Sequence, residues 1–527
     1  MNQPLRERVL DYMENVISIV EKPRLGMVTL FFWVLAIAVI RTITEAIIFD
    51  YRYGDISYTY VFIYAHMMLF YFTVFVLGVF TLKLFTREKL AKIANLSAIG
   101  FLILPFPPLI DYLFSPPGTI YTYIPKEKLL SGLTFFYHNI FPDVAGYGLL
   151  IEIIFILIAT SLYVYVKTRC PLKAIGNLVL LNTLVVTVST PTLNPLLDAW
   201  SWGPLAQPAY VLRASILSIM ILTAIAAISN KRLFISLLKS LALLRTTHFV
   251  VMVLVGILIA DHVTINFNAF TTYHQAGNIG MVGIAVAAIV FLWQYAVIIN
   301  NVYDVEIDRV TKKERILAQG LMSRQWGLKL AVLFAIVGVG LSATLSWQHV
   351  SLALACIALS TLYSVPPVRF RDHPLSPLVI GAGSAIAFYI GYLVPTYTMD
   401  GFEVVKTLPE MTTEAVILGL LIFIALSIGS MTKDIDDYQG DKKEGVKNIF
   451  TIYGIDTAVT IMSLLLIVAF LSPLLLFHTA VDVLLFIAAG AIAVAAFRRF
   501  RRSLVVFPLY FFVLLYAVMR WFGVLSF

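Results

Sequence analysis

Apolar runs of roughly twenty residues, each closed by charged or proline-rich turns, recur along the whole chain. A hydrocarbon core about 30 Å thick is crossed by about 20 helical residues, and lipid offers no partner to an open backbone N–H or C=O, so such runs must become helices. Six are expected near 27–49, 57–82, 93–114, 145–166, 174–196 and 208–229. Nine more follow near 247–262, 278–302, 326–346, 350–365, 375–395, 413–432, 455–477, 480–497 and 503–526, those at 247–262 and 350–365 being short. Of the 527 residues 60% are hydrophobic and 13% charged, and the mean hydropathy is +0.90, too little polar surface for a soluble globular domain. The expected fold class is an all-α polytopic membrane protein.

The net charge of +8 does not point to nucleic acid, because Lys and Arg gather at the ends of apolar runs, as orientation signals do. "KLFTREKLAK" (83–92), "KTRC" (167–170), "NKRLF" (230–234), "RVTKKER" (309–315), "VRFR" (368–371), "KKEGVK" (442–447) and "RRFRR" (498–502) all fall on one side of a fifteen-span topology, the side expected to be cytoplasmic. The chain is thus expected in the cell (cytoplasmic) membrane as a multi-pass protein with the lipid bilayer as its surroundings. Its first residues, "MNQPLRERVLDYMENVISIVEKPR", are amphipathic and lack a signal peptide's short apolar core and cleavage site. Two cysteines, Cys170 and Cys356, are too few for a disulfide framework or a thiolate metal site.

A boundary is expected at "ISNKRLFISLLKSLALLRTTH" (228–248), a basic amphipathic stretch suited to the membrane surface. It divides a multi-span domain of unknown role (1–230) from a second membrane domain (247–527), with 231–246 as an interfacial linker; no internal repeat relates the two. In the first domain the intramembrane polar residues Arg41, Glu45, His66 and Glu152 are candidates for function or for interhelical contacts.

Chemistry is concentrated in two acidic segments of the second domain. In "INNVYDVEIDRVTKKERILAQG" (299–320), Asn300, Asp304 and Asp308 recur every four residues and so share one helical face, with Glu306 off it. In "MTKDIDDYQGDKKEGVKNI" (431–449), Asp434, Asp437 and Asp441 stand at spacings of three and four. Both begin at span ends on the basic side. Carboxylates held together need cations between them, and oxygen-only ligands open to water suit Mg²⁺, which takes one or two carboxylates, waters and phosphate oxygens. Lys312, Lys313 and Arg315 after the first segment, and Lys442, Lys443 and Lys447 after the second, are placed to hold a diphosphate. Between the segments, "YSVPPVRFR" (363–371) adds Tyr363, Arg369 and Arg371 as a further phosphate clamp. The reading is a magnesium-diphosphate site for a ligand with an apolar tail.

Residues 245–527 resemble the UbiA family of intramembrane prenyltransferases. "NNVYDVEID" is similar to that family's N-x-x-x-D-x-x-x-D motif, "DIDDYQGDKKEGVK" to its second aspartate motif, and "YSVPPVRFR" to its Tyr-Ser-x-Pro-Pro-x-Arg element. The resemblance implies a nine-helix bundle preceded by an additional domain of about six spans, with both acidic motifs on the cytoplasmic face. It also implies Asn300, Asp304, Asp308, Asp437 and Asp441 as Mg²⁺-diphosphate ligands with Asp434 added, Asp304, Asp308, Asp437 and Asp441 being the catalytic set. Arg315 and Lys447 fall where the family places basic residues, although "TKKERI" lacks the family's prolines and Asn448 replaces a common Thr. The implied activity moves an isoprenoid chain from a prenyl diphosphate to a hydrophobic or aromatic acceptor. Two other readings are an ion-coupled transporter, whose acids usually lie mid-span, and a catalytically inactive prenyl-lipid-binding protein. A CDP-alcohol phosphatidyltransferase would need a D-G-x-x-A-R core, which the sequence lacks.

Overall fold

The computed structural model describes residues 5–49, 58–114, 147–189, 207–240, 243–264, 276–311, 313, 315–400 and 403–525. The side chains of some helical residues, Glu45, His66 and Asp437 among them, lie outside the described set, as do Lys312 and the loop after 114. The chain divides into two compact units, one of Met1–Ile235 with Gln275–Gly280 and one of Ser236–His274 with Met281–Phe527.

The first unit contains α1 (Leu5–Val20), α2 (Met27–Phe49), α3 (Tyr58–Thr86), α4 (Leu90–Gly100), α5 (Phe106–Phe114), α6 (Tyr147–Thr168), α7 (Pro171–Ser189) and α8 (Gln207–Ser229). The third expected span is broken. A 3-10 turn at Phe101–Ile103 separates α4 from α5, because Pro105, Pro107 and Pro108 remove successive N–H donors and disfavour helix in the residues before them. The core joins Val34 and Ile37 of α2, Phe75 and Val76 of α3, Ile93 and Ala94 of α4, and Val164 of α6. Arg41 is fully buried, with Nε donating to the Tyr71 hydroxyl at 3.0 Å and Nη1 to the Leu104 carbonyl at 3.2 Å.

At the water-facing end of this unit, Glu21 is 1% exposed. It accepts from Lys167 Nζ at 2.9 Å, Lys92 Nζ at 3.0 Å and the Tyr163 hydroxyl at 3.0 Å. Burial opposes its charge, but hydrogen bonds from Lys167 and Lys92 outweigh that and hold the carboxyl below its ordinary value.

Helix α9 (Lys231–Ser240) precedes the nine long helices of the second domain: α10 (Leu243–Thr264), α11 (Ala276–Tyr303), α13 (Arg324–Leu345), α14 (Trp347–Ser364), α15 (Ser376–Tyr392), α16 (Thr413–Thr432), α19 (Ile455–Leu471), α20 (Ala480–Phe500) and α21 (Phe507–Trp521). Short helices α12 (Val305–Thr311), α17 (Asp434–Glu444) and α18 (Ile449–Tyr453) sit between them. An antiparallel hairpin, β1 (Thr396–Asp400) with β2 (Glu403–Thr407), joins α15 to α16 and is an addition to the all-helical expectation. Among the described residues nine helices are long and apolar enough to cross a membrane. With the shorter apolar helices at Thr29–Thr44, Pro171–Val185, Ala214–Ser229, Arg245–Ala260 and Ser376–Tyr392, and with α14, they match the expected apolar stretches one for one. The protein is a multi-pass, all-α integral membrane protein.

Helix α15 is packed between α10 and α16. Where α10 and α15 cross, Gly256 meets the Phe388 carbonyl and Gly391 meets the backbone of Val253, and a Cβ at either glycine would overlap backbone that cannot yield. Small residues of this kind let backbones approach closely where lipid provides no hydrophobic drive between helices. A second core, including Ile428, Met431, Ile435, Phe450, Met462, Phe486 and Phe497, anchors α17 and α18 to α16, α19 and α20. At the start of α20 the buried Asp482 accepts from Tyr516 and, at 3.0 Å, from Arg520 Nε on α21.

Two outcomes follow from this packing. Gly391→Ala is expected to cost about 1–3 kcal/mol through overpacking, seen as a lower midpoint of thermal unfolding in detergent. For Glu21, a folded pKa below 4.5 means its stabilising share is present above the unfolded value and is lost as pH falls through the folded one. Glu21→Gln should therefore lower thermal stability at neutral pH and flatten the stability loss that the wild type shows on acidification, read as unfolding midpoint against pH.

Candidate active site

The first acidic segment is not one straight helix. Helix α11 ends at Tyr303 and α12 begins at Val305, with Asp304 at the bend. The ladder nevertheless survives: Asp304 N–H donates to the Asn300 carbonyl at 2.9 Å and Asp308 N–H to the Asp304 carbonyl at 2.8 Å. The four-residue repeat therefore keeps all three polar side chains on one face, and Asn300 Nδ2 donates to Asp304 Oδ2 at 2.8 Å. Asp304 and Asp308 are each 3% exposed. Glu306 points away into an exposed pair with Arg309.

Burying a carboxylate is costly unless it is paired, and both are. Arg369 Nη2 donates to Asp304 Oδ1 at 3.0 Å, and Arg371 forms a second ion pair with the same carboxylate. Arg315 Nη1 donates to Asp308 Oδ2 at 2.7 Å and to Asn301 Oδ1 at 2.7 Å. Arg369 reaches back because its own backbone is left-handed (φ 37°), which turns the chain into the 3-10 segment Phe370–Asp372.

The second segment forms α17, straight through Gly440 and ended by Gly445 in the left-handed conformation (φ 73°), a glycine C-terminus. Asp434 opens this helix and Asp441 stands in its last turn, with Asn448 Nδ2 donating to Asp441 Oδ2 at 2.7 Å. Asn448 also caps α18 through Thr451 N–H at 2.8 Å. Asp436, on another face, accepts from the Ser503 backbone N–H at 3.2 Å and from its hydroxyl, bracing α17 on the turn before α21. Tyr363 hydrogen-bonds to Ser376 and lies within electrostatic reach of Arg245 and Asp434. The proline element thus touches the first segment through its arginines.

Of the residues singled out in the sequence, Asn300, Asp304, Asp308, Arg315, Arg369 and Arg371 are brought together. Lys447 is exposed beyond the Gly445 turn, and Lys313 is exposed too. Lys312 and the Asp437 side chain lie outside the described residues. Among the described residues no group of three His, Cys, Asp or Glu side chains converges as a ready metal cage. The donors are all oxygen or amide oxygen, a set that fits Mg²⁺ bound jointly with phosphate rather than Zn²⁺ or a soft metal. Sequence reasoning missed Asn301 and noted Asn448 only as the replacement of a common Thr. Asn301 stands beside Asn300 in "NN" but about 100° round the helix, so the four-residue spacing passed over it.

The model of the UbiA prenyltransferase family matches residues 249–508. This stretch belongs to the UbiA prenyltransferase family. Among curated relatives, a probable homogentisate phytyltransferase 2 of Oryza sativa subsp. japonica is 30% identical over 40% of this chain and 51% of its own length. A digeranylgeranylglyceryl phosphate synthase of Methanosphaera stadtmanae is 27% identical over 34% of this chain and 61% of its own. The chain spans about half the length of the curated relatives it matches. A solved UbiA homolog from Archaeoglobus fulgidus bound to DMAPP and Mg²⁺ has 17% identity and a TM-score of 0.40, covering 55% of this chain and 99% of that one. The UbiA match includes both acidic segments and the proline element, and leaves residues 1–248 outside it.

Asn301→Ala removes one of the two acceptors that hold Arg315 beside the buried Asp308. A hydrogen bond to a charged group contributes about 1.5–3 kcal/mol, so the variant is expected to melt earlier by a comparable loss, and adding Asp308→Asn should produce less than the sum of the two single effects.

Proposed function

We propose that the second domain transfers an isoprenoid chain from a prenyl diphosphate to a hydrophobic or aromatic acceptor, with release of diphosphate. The observation that carries this reading is that Asp304 and Asp308, buried at the end of an apolar helix, are met by the guanidinium groups of Arg369, Arg371 and Arg315. The first acidic segment and a guanidinium pair from a turn distant in sequence thus meet at the end of an apolar helix.

Asn300, Asp304 and Asp308 of the first segment, with Asp434, Asp437 and Asp441 of the second, would hold Mg²⁺, which would supply charge neutralisation for the diphosphate. The planar forks of Arg315, Arg369 and Arg371 match phosphate oxygens and stabilise the negative charge that grows on the departing group. Lys312 and Lys447 extend this basic fringe. As the bond between the allylic carbon and the diphosphate oxygen breaks, the acceptor nucleophile forms a bond to that carbon and loses its proton. The apolar helices hold the chain and exclude water, which would otherwise capture the electron-poor carbon. Charge distribution favours the cytoplasmic face of the cell membrane for the acidic segments. Residues 1–230 form a separate membrane domain, with 231–246 as the linker. Relatives named for aromatic and for glyceryl phosphate acceptors leave the acceptor class broad.

The test is prenyl transfer in membranes, using labelled prenyl diphosphates of several lengths and a panel of acceptors, with and without Mg²⁺. Asp304→Asn and Asp437→Asn are each expected to lower turnover by roughly 100-fold or more, the loss typical of removing one electrostatic stabiliser, and chelation should abolish it. Equal inertness of wild type and variants in every combination, or Mg²⁺-independent diphosphate binding, would overturn the reading.

A further inference from the structure

Helix α1 carries an apolar stripe that faces away from the rest of its unit. Leu5, Val9, Tyr12, Val16 and Ile19 are 73%, 49%, 70%, 43% and 64% exposed. At 3.6 residues per turn they fall within a strip about 80° wide. Next to it round the helix is the packed side, where Leu10 is buried. Arg6 Nε donates to the Tyr165 hydroxyl at 3.1 Å, and Arg169 pairs with Glu14 at 2.8 Å and Asp11 at 2.9 Å. The remaining sector, Glu7, Asn15 and Ser18, is polar and exposed. The three sectors are those of a helix lying where protein, lipid and water meet.

The partners fix its direction. From Arg6 to Glu21, α1 and the residue after it advance about 22 Å at 1.5 Å per residue. Their partners on and just beyond α6, Tyr163, Tyr165, Lys167 and Arg169, advance only about 9 Å by the same rise. A helix running alongside α6 would change partners in step with it; α1 instead crosses the end of α6. The Glu21 clasp to Lys92, in the first turn of α4, and to Lys167, in the last turn of α6, sets that crossing at the boundary where the membrane spans begin and end.

We propose that α1 is an in-plane membrane anchor whose apolar stripe occupies the headgroup–acyl boundary of the leaflet at this end of α4 and α6, with the exposed Arg8, Lys22 and Arg24 meeting lipid phosphates. The proposal is independent of the prenyl-transfer reading. The occupant is phospholipid, because the stripe lies at the level where the apolar surface of the adjoining spans meets water.

The full chain, with Cys170→Ser and Cys356→Ser, is reconstituted in nanodiscs of phosphatidylcholine and phosphatidylglycerol, and an environment-sensitive fluorophore is attached through Val16→Cys or, separately, Ser18→Cys. The label at position 16 is expected to emit further to the blue and to be quenched by nitroxide-bearing lipid about twofold or more beyond the label at position 18, with aqueous iodide giving the opposite order. Equal lipid quenching at the two positions overturns the proposal. So does a label at position 16 shielded from both quenchers, which would assign the stripe to a protein surface, including a second copy of this chain.

Discussion

Two carboxylates at the end of an apolar helix, each almost wholly buried, are the constraint on which the second unit's architecture depends. Left unpaired, an ionised Asp304 or Asp308 in such a place would carry a desolvation cost that destabilises the segment. Arg369 and Arg371 answer the first and Arg315 the second. Arg369 and Arg371 come from the turn after α14, so α11 and α14 must end at the same level. The bend at Asp304 and the left-handed turn at Arg369 are the local geometries that make this meeting possible.

The rest of the unit holds these ends in register. Close glycine contacts lock α10 to α15, and the apolar cluster around Phe450 and Phe497 carries α17 on α19 and α20. The Asp436–Ser503 contact then fixes the rotation of α17. With Asp436 turned to Ser503, the stripe carrying Asp434 and Asp441 is directed elsewhere on the helix, as spacings of two and five residues require.

The spans were legible because an apolar run of membrane length has few alternatives to a helix. Their interruptions were less so: three prolines in "LPFPPL" were visible, but hydropathy alone read through them. In the site, the spacing of Asn300, Asp304 and Asp308 was enough to place them on one face. Which cation meets which carboxylate was not readable, since it depends on where separate helices end in space. Arg315 with Asp308 is seven residues apart and Arg369 with Asp304 is sixty-five. Asn448, which looked like a departure from the family's Thr, both caps α18 and binds Asp441, two roles that Thr's single hydroxyl would fill differently.

The contact between Asp482 and Arg520 bears on how the chain enters its membrane. Asp482 stands in the first turn of α20 and Arg520 in the last turn of α21, where an unpaired charge costs less than the about 2.5–3.5 kcal/mol of a helix centre but still opposes insertion. Paired, they present lipid with a neutral, hydrogen-bonded unit. Helices α20 and α21 are thus stabilised in the bilayer as a pair, each supplying the counter-charge to the other.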